Sequence, residues 1–248
     1  MPLPHLEILT DPDAVALRGV ERIINTASEA LRERGAFTLM LAGGSTPRAI
    51  YKLISNDPYR SAGGMDWSKV EIYFGDERCV PPDHPESNYR MAVESLLGCV
   101  AIPAENIHRI SGERDPEEAA KSYGQLLKAR FGDGGPDLTL LGMGDDGHTA
   151  SIFPYSEAGR ETHHRCVANL VEKSTTGKSW RVTTTAPFIN RSREVLVIVT
   201  GASKAARLQE VLHGAADVDR LPIQRIRPAS GGLLWMVDRA AAARLDAI

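Results

Sequence analysis

The stretch Leu138–Pro154 has the sequence LTLLGMGDDGHTASIFP and carries the strongest indication of the fold. An apolar run, Leu138–Leu141, leads directly into a turn that holds three glycines, two aspartates and His148. In open α/β folds such turns follow parallel strands, and ligands bind at the carboxyl edge of the sheet. Glycines allow the backbone to approach a ligand closely, while histidine and carboxylates offer proton transfer. The stretch therefore predicts an α/β fold with a functional loop after this strand.

The same pattern occurs along the rest of the chain. The run Ala36–Ala42 is nearly all apolar, which is typical of a parallel strand covered on both faces. Further strands are predicted at Leu6–Leu9, Lys69–Phe74, Asp137–Leu141, Arg181–Thr185, Glu194–Val199 and Leu233–Val237. Helices are predicted between Asp11 and Gly35, through Ile50–Leu53, over Ser87–Leu97, from Asp115 and after Lys204. This alternation predicts a mostly parallel, doubly wound sheet with helices on both faces.

Length and composition favour one ordinary globular domain. The chain has 248 residues, 42% of them hydrophobic and 25% charged, and no stretch that resembles a long linker. We therefore expect a single domain over residues 1–248. The net charge of -3 gives no reason to expect nucleic acid or an anionic membrane as partner. Without a signal-like or membrane-spanning apolar segment, the expected location is the cytoplasm, and we expect a monomer or a weak homo-oligomer.

Three cysteines and a pair of histidines are weak candidates for special chemistry. Cys79, Cys99 and Cys166 form neither a disulfide framework nor a C-x-x-C motif, although Cys79 lies beside a charged loop and could be reactive. His163 and His164 have no carboxylate or cysteine at ligand spacing. We therefore expect no metal.

Four loops share one character, because each follows a predicted strand and carries small or charged residues. If those strands are parallel, the loops meet at one edge of the sheet although they lie far apart in sequence. The loops are Gly43–Arg48, Gly75–Arg78, Gly144–His148 and Gly201–Lys204. The Gly75–Arg78 loop alone is a weak indication, since adjacent opposite charges are usually solvated.

The first and fourth loops suit a phosphate. Exposed backbone N–H groups, hydroxyl groups and the positive end of the next helix favour an anion there. The candidate residues are Gly43, Gly44, Ser45, Thr46 and Arg48, with Lys204 reaching back from the fourth loop. The alternative is an ordinary turn in which Thr46 is the N-cap and Pro47 the first helical residue, and both can hold together. The loop is not a P-loop, since the G-K-[ST] ending is missing.

The third loop also fits the dinucleotide fingerprint G-x-G-x-x-G through Gly142, Gly144 and Gly147. Asp145 and Asp146 would lie where that fingerprint binds a pyrophosphate, and two carboxylates would repel it. We therefore expect no nicotinamide or flavin cofactor.

Taken in order, five segments resemble the bacterial-type 6-phosphogluconolactonase family. They are LAGGSTPRAIY, YFGDERCVPPDHPESNYRMA, DLTLLGMGDDGHTASIFP, RVTTTAPFINRSREVLVIVTGASKA and LPIQRIRP, and they span almost the whole chain. The resemblance implies a Rossmann-like fold shared with glucosamine-6-phosphate deaminase and ribose-5-phosphate isomerase. It also implies hydrolysis of 6-phospho-D-glucono-1,5-lactone in the oxidative pentose phosphate pathway, without a cofactor.

The deaminase is the alternative that shares most of these loops. Its motif continues Asp-Gly-His-x-Ala-Phe-Asn-Glu-Pro, and Phe153 occupies the glutamate position of that motif. Its Asp-Glu-Tyr is replaced by an Asp-Glu-Arg that ends in Arg78. Both departures favour the lactonase. A sugar-phosphate sensor without catalysis is a third possibility, against which the presence of His148, Arg78 and Lys204 argues.

The resemblance and the residue chemistry together give a hypothesis for the site. His148 is the candidate general base that activates water. Asp146 either orients His148 or shapes its loop. Arg78 is the candidate that stabilises the oxyanion, although Arg78 and Lys204 could exchange their roles between carbonyl and phosphate.

Overall fold

The computed structural model describes residues 5–62, 65–174 and 177–245, in which strands and helices alternate. The strands are β1 (His5–Leu9), β2 (Phe37–Leu41), β3 (Val70–Phe74), β4 (Asp76–Arg78), β5 (Ile107–His108), β6 (Leu138–Gly142), β7 (Cys166–Ser174), β8 (Gly177–Thr184), β9 (Glu194–Val199) and β10 (Gly232–Asp238). The α-helices are α1 (Pro12–Arg34), α2 (Ser45–Ile54), α3 (Tyr59–Ala62), α4 (Asn88–Ala92), α5 (Pro116–Phe131), α6 (Glu157–Arg160), α7 (Ala186–Ile189) and α8 (Ala205–His213). A π-helical segment, Val93–Leu97, continues α4, and short 3-10 segments lie at Trp67–Lys69, Ala104–Asn106, Ala202–Lys204 and Pro222–Arg225.

The main sheet is parallel throughout the described residues. Its seven strands lie in the order β1-β10-β9-β6-β2-β3-β5. The chain runs outward from β2 to β3 and β5, then returns to the other side of β2 with β6, β9 and β10. The order therefore reverses between β2 and β6, the kind of position where open α/β sheets form a ligand crevice. The predicted α/β class and mostly parallel sheet are confirmed.

Apolar side chains cover both faces of this sheet. All six residues of β9 are buried. Leu196 and Ile198 pack into the core on one face, with residues of α1, α2 and α5. Val195, Val197 and Val199 pack into the core on the other face, with residues of α8. Such continuous burial is expected of a parallel strand between two helical layers, so helices on both faces are also confirmed.

A second, smaller sheet was not expected from the sequence. In the described residues its three strands pair antiparallel in the order β4-β8-β7. The predicted strand Arg181–Thr185 therefore lies mainly in β8, outside the parallel sheet. The interpretation of Gly75–Arg78 as a polar loop is wrong for Asp76–Arg78, which form β4. The reason is that β4 follows β3 after a single residue, Gly75, too short a break to read as a strand boundary.

Helix caps set two of the predicted boundaries. The Asp11 carboxylate accepts a hydrogen bond from the Ala14 N–H, and Gly35 ends α1 with φ 75°. The Asp115 carboxylate accepts from Glu117 and Glu118 at the start of α5. These are the roles that acidic N-caps and left-handed C-terminal glycines have in helices generally. Among the described helices, none is both long and apolar enough to cross a membrane.

Candidate active site

The four loops predicted to converge do meet at the carboxyl edge of the parallel sheet. They surround a cleft of about 330 Å³ beside the reversal between β2 and β6. Its lining draws on all four loops and includes Gly43, Gly44, Ser45, Thr46, Asp76, Arg78, Asn88, Gly144, His148, Thr200 and Lys204. The sequence thus predicted most of this lining, and the parallel sheet supplies the reason for its convergence.

His148 is paired with Asp146 at the cleft. The His148 Nδ1 lies 2.6 Å from Oδ1 of Asp146, and the His148 backbone N–H donates to the same oxygen. Burial alone would raise the pKa of Asp146, but the hydrogen bonds from His148 outweigh it and lower this pKa to about 2. An ionised carboxylate only accepts, so Nδ1 of a neutral His148 carries the proton and Nε2 keeps its lone pair. Asp146 therefore both orients the ring and shapes the loop.

Glycines make room for the His148 ring. A Cβ on Gly144 would lie 2.0 Å from the His148 Nδ1, a distance that no real pair of atoms of this kind adopts. Gly147 has φ 87°, and a Cβ there would lie 2.7 Å from Leu221. Of the glycines that mimic a dinucleotide fingerprint, Gly144 thus leaves the space that the His148 ring occupies, and Gly147 allows the turn to pass close to Leu221.

Phe153 supports the other side of the histidine. The two rings are stacked, with centroids 4.3 Å apart and planes inclined by 29°. The residue that replaces the deaminase glutamate is therefore in direct contact with His148 and gives it an apolar wall in place of a charge.

The loop after β2 places a helix N-terminus at the cleft. Gly44 is the N-cap of α2 with φ 105°, and the first-turn N–H groups of such a helix have no intrahelical acceptor. The alternative in which Thr46 is the N-cap and Pro47 the first helical residue is wrong, because α2 already begins at Ser45. The Thr46 hydroxyl instead lies 2.9 Å from the Thr200 hydroxyl and joins this loop to the one after β9.

Arg48 lies outside the cleft lining, on a neighbouring depression of about 410 Å³. Its side chain is about half exposed, with Nη2 3.7 Å from the Glu94 carboxylate. Lys52 and Arg78 also line this depression, and Arg78 lines both it and the cleft. Of the residues predicted to bind phosphate, Arg48 is the one that does not line the cleft with His148.

Asp76 and Glu77 are buried, contrary to the expectation of a solvated loop. Burial raises the pKa of Glu77, whose carboxylate accepts the backbone N–H groups of Asn88, Tyr89 and Arg78. The Asp76 carboxylate accepts from the side-chain amide of Asn88 at 3.1 Å. These two acids fix the segment that carries Arg78.

Asp76 also connects this segment to the histidine loop. Its second carboxylate oxygen accepts from the Ser151 hydroxyl at 2.6 Å. The carbonyl of Ser151 accepts from the Asn169 side chain, and its N–H donates to the Thr183 hydroxyl. The small sheet is thereby attached to the loop that presents His148.

Arg78 has a second arginine beside it. In the antiparallel pairing of β4 and β8, Arg78 and Arg181 are register partners. Burial, and then the nearby Arg78 guanidinium, lower the pKa of Arg181. Two adjacent cations on a half-buried face make this end of the site favourable for an anion. No local pattern in the sequence indicates Arg181, Asn88 or Thr200. Arg181 meets Arg78 through strand pairing, and Asn88 reaches the cleft through its hydrogen bonds to Asp76 and Glu77.

Lys204 lies at the cleft on the turn after β9. Gly201 has φ 97°, and its N–H donates to the buried Asp238 carboxylate at 3.0 Å. The Lys204 Nζ lies 2.6 Å from Oδ1 of Asp145. Lys204, which is predicted to bind the phosphate, is therefore in contact with the loop that carries His148.

Cys79 and His164, the weak candidates for a reactive thiol and a metal ligand, lie in surroundings that do not favour those roles. Burial raises the pKa of the Cys79 thiol to about 11, so it is protonated at neutral pH and a poor nucleophile. The His164 Nδ1 lies 3.0 Å from the Glu161 carboxylate, and neither residue lines the cleft. In the ranges that the structure describes, no group of three His, Cys, Asp or Glu side chains is placed to hold a metal ion.

A family model described as glucosamine-6-phosphate isomerases/6-phosphogluconolactonase matches residues 10–235. The chain belongs to this family. The 6-phosphogluconolactonase of Nostoc sp. is 39% identical over 247 residues, which cover 97% of this chain and 98% of the relative. That of Mycobacterium tuberculosis is 35% identical over 254 residues, with coverage of 97% and 98%. The resemblance predicted from the motifs is confirmed, and the chain is an enzyme of this family.

Solved structures agree with this assignment. The 6-phosphogluconolactonase from Trypanosoma cruzi superposes with a TM-score of 0.86 at 26% identity, covering 98% of this chain and 97% of that one. A monomeric glucosamine-6-phosphate deaminase superposes with a TM-score of 0.83 at 19% identity, covering 97% and 99%. The second likeness is one of fold alone.

Proposed function

We propose that the chain hydrolyses 6-phospho-D-glucono-1,5-lactone to 6-phospho-D-gluconate, the lactone-opening step of the oxidative pentose phosphate pathway. The observation that carries the proposal is the His148–Asp146 pair at a cleft whose other walls hold cations and a helix N-terminus. Relatives named 6-phosphogluconolactonase over the full length support the same substrate.

His148 is the general base. With its Nδ1 proton committed to Asp146, the free Nε2 accepts a proton from water. The hydroxide attacks the carbonyl carbon C1 of the lactone, and the carbonyl oxygen becomes an oxyanion. When the tetrahedral intermediate collapses, the bond between C1 and the ring oxygen breaks, and the imidazolium returns its proton to that oxygen. Water is added across the ester, and the enzyme is unchanged.

Arg78 stabilises the oxyanion in this proposal. It lines the cleft together with His148, and its segment is fixed by the buried Asp76 and Glu77. A donor fixed before the reaction needs little reorganisation when the charge develops. Arg181, its neighbour in β8, adds positive potential at the same end.

In this proposal the phosphate lies against the loop after β2 and Lys204, which line the same cleft. Gly43, Gly44, Ser45 and Thr46 present backbone N–H groups and hydroxyls beside the start of α2, and Lys204 adds a full charge. Arg48, on the adjoining depression, contributes long-range attraction for the dianion.

Acid release from freshly prepared lactone tests the proposal, with the spontaneous hydrolysis rate subtracted. We expect turnover of the phosphorylated lactone and no release of ammonia from glucosamine 6-phosphate. Ammonia release without lactone hydrolysis would overturn the proposal in favour of the deaminase reaction.

A further inference from the structure

Lys204, the cation assigned to the substrate's phosphate, is already held by a carboxylate. Its Nζ lies 2.6 Å from Oδ1 of Asp145. Lys204 lines the cleft, whereas Asp145 is absent from that lining. A phosphate that binds Lys204 therefore meets a competing anion at the same ammonium group.

The two partners differ in how freely they can move. The Asp145 side chain is 76% exposed, and that of Lys204 is 22% exposed. The backbone of Asp145 is fixed, because Arg207 Nε donates to its carbonyl oxygen at 2.9 Å and the next residue, Asp146, is bonded to His148. The carboxylate can thus rotate into solvent while the loop and the lysine stay in place.

The strength of this pair sets which anions can displace it. An ion pair whose carboxylate is largely exposed is weak and is screened by salt. A phosphate dianion offers twice the charge of a carboxylate, several acceptor oxygens, and further contacts to the start of α2. A monoanion offers Lys204 no more than Asp145 already supplies.

We propose that Asp145 is an anion-selecting gate on the phosphate end of the cleft. It occupies Lys204 when no substrate is bound, withholds it from monoanions, and yields it to a phosphate dianion. Asp145 is thus a specificity-determining residue that takes no part in the chemical step. The inference rests on the proposed function, since it takes the ligand of Lys204 to be a sugar phosphate.

The direct test is the affinity for inorganic phosphate, measured by titration calorimetry at pH 8 and low salt, where phosphate is a dianion. Asp145→Asn keeps the shape of the side chain and removes its charge. We expect the variant to bind phosphate roughly two- to fivefold more tightly than the native protein, the upper part of the range that loss of an exposed competing ion pair allows. Acetate, a monoanion, should compete with phosphate in the variant only.

Glu210→Gln is the matched control. It removes the same charge from α8, where Glu210 pairs with Arg207 and Arg220 and makes no contact with Lys204. Its phosphate affinity should change by less than about 1.5-fold, because exposed charges farther away are screened. In a Lys204→Met background, Asp145→Asn should have no effect on phosphate binding, since the two residues act through one ion pair.

Kinetics separate a gate from a merely structural role. Asp145→Asn should lower KM for the phosphorylated lactone by a similar factor, leave kcat unchanged, and change neither value for unphosphorylated glucono-1,5-lactone. Unchanged, weaker or undetectable phosphate binding by Asp145→Asn overturns the gate. Because this binding is measured without turnover, lactone hydrolysis with no gain in phosphate affinity refutes the gate alone. Tighter phosphate binding in a protein that hydrolyses no lactone refutes the proposed function alone.

Discussion

The Nδ1 of His148 and the Oδ1 of Asp146 lie 2.6 Å apart, and the same oxygen accepts the His148 backbone N–H. One carboxylate thus fixes the tautomer of the ring and the path of the loop. Asp146→Asn replaces an acceptor with a group that can also donate, so the ring loses its defined tautomer. We expect kcat to fall about 10- to 100-fold with KM nearly unchanged, which steady-state kinetics on fresh lactone can measure. A large rise in KM with native kcat would contradict this role.

Removing the Phe153 ring should also lower kcat, but by less than Asp146→Asn does. The Phe153 ring is stacked on His148 at 4.3 Å between centroids, and such aromatic pairs contribute about 0.5–1.5 kcal/mol beyond their buried area. Phe153→Ala should lower kcat by roughly three- to tenfold, since each 1.4 kcal/mol corresponds to about a factor of ten. Phe153→Tyr keeps the stacked ring and should retain most of the activity. Equal losses in both variants would show that stacking is not what positions His148.

One methyl group added at Gly144 should displace the His148 ring and so disable the general base. A Cβ there would lie 2.0 Å from the His148 Nδ1, and the ring must leave its bond to Asp146 to relieve the clash. Gly144→Ala should therefore reduce kcat/KM by about 10²-fold or more, the lower range of what general-base catalysis supplies.

The matched control is Gly124→Ala in α5, where an added Cβ meets only ordinary contacts at 3.8 Å. That variant should keep full activity and gain a few tenths of a kcal/mol or more in unfolding free energy, because alanine favours helices. Native activity in Gly144→Ala would contradict the position assigned to the ring.

The half-buried His108, which lies outside the cleft, should make the free energy of unfolding depend on pH. Burial lowers the pKa of His108 below 6.5, although the Glu71 carboxylate opposes this shift. The unfolded chain therefore binds a proton that the folded chain does not, and the free energy of unfolding falls as the pH drops below about 6.5. Urea denaturation of His108→Phe between pH 5 and 8 should show a weaker dependence than the native protein.

The control is His163→Gln, which removes an exposed histidine and leaves His108 and Glu71 in place, so its urea denaturation is compared with that of His108→Phe. The phenyl ring of His108→Phe still stacks on Tyr73, whose ring centroid lies 4.6 Å from that of the imidazole. A native pH dependence in His108→Phe would show that another group titrates in this range.

Substitution of Lys204 should weaken binding only of substrates that carry a phosphate. Removing a charge-assisted contact costs about 1.5–3 kcal/mol, or roughly 10- to 150-fold in binding. Lys204→Met should therefore raise KM for 6-phospho-D-glucono-1,5-lactone within that range. Hydrolysis of glucono-1,5-lactone, which lacks the phosphate, should be unaffected. A loss that is equal for both lactones would instead assign Lys204 to the carbonyl and Arg78 to the phosphate.

The parallel sheet and its loops could be predicted because apolar strands end directly at glycines and small polar residues, as at Leu41 and Gly142. Because the carboxyl ends of parallel strands lie at one edge of the sheet, four loops that are distant in sequence could be predicted to meet there. The small sheet could not be predicted, since β4 follows β3 after one residue and β8 is rich in hydroxyl groups rather than apolar ones. For the same reason, the proximity of Arg181 to Arg78 follows from strand register and not from any local pattern.

The hydrogen-bond and ion-pair partners of the acidic residues also could not be predicted from the sequence. The buried Glu77 carboxylate depends on the backbone N–H groups and the Ser87 hydroxyl of the segment that follows it. The buried Asp76 carboxylate depends on the Asn88 amide and on the Ser151 hydroxyl, which is 75 residues away in the chain. The ion pair between Asp145 and Lys204 joins residues about 60 positions apart and required the structure. Local charge patterns show which side chains are available, and the tertiary contacts decide which of them meet.

The most direct test of the proposed mechanism is kcat/KM of His148→Gln on freshly prepared 6-phospho-D-glucono-1,5-lactone, measured beside the affinity of this variant for 6-phospho-D-gluconate. Loss of the general base should lower kcat/KM by about 10²- to 10⁴-fold, while the product affinity stays within about threefold because the phosphate contacts remain. A variant that hydrolyses the lactone at the native rate would contradict the assignment of His148 as the base.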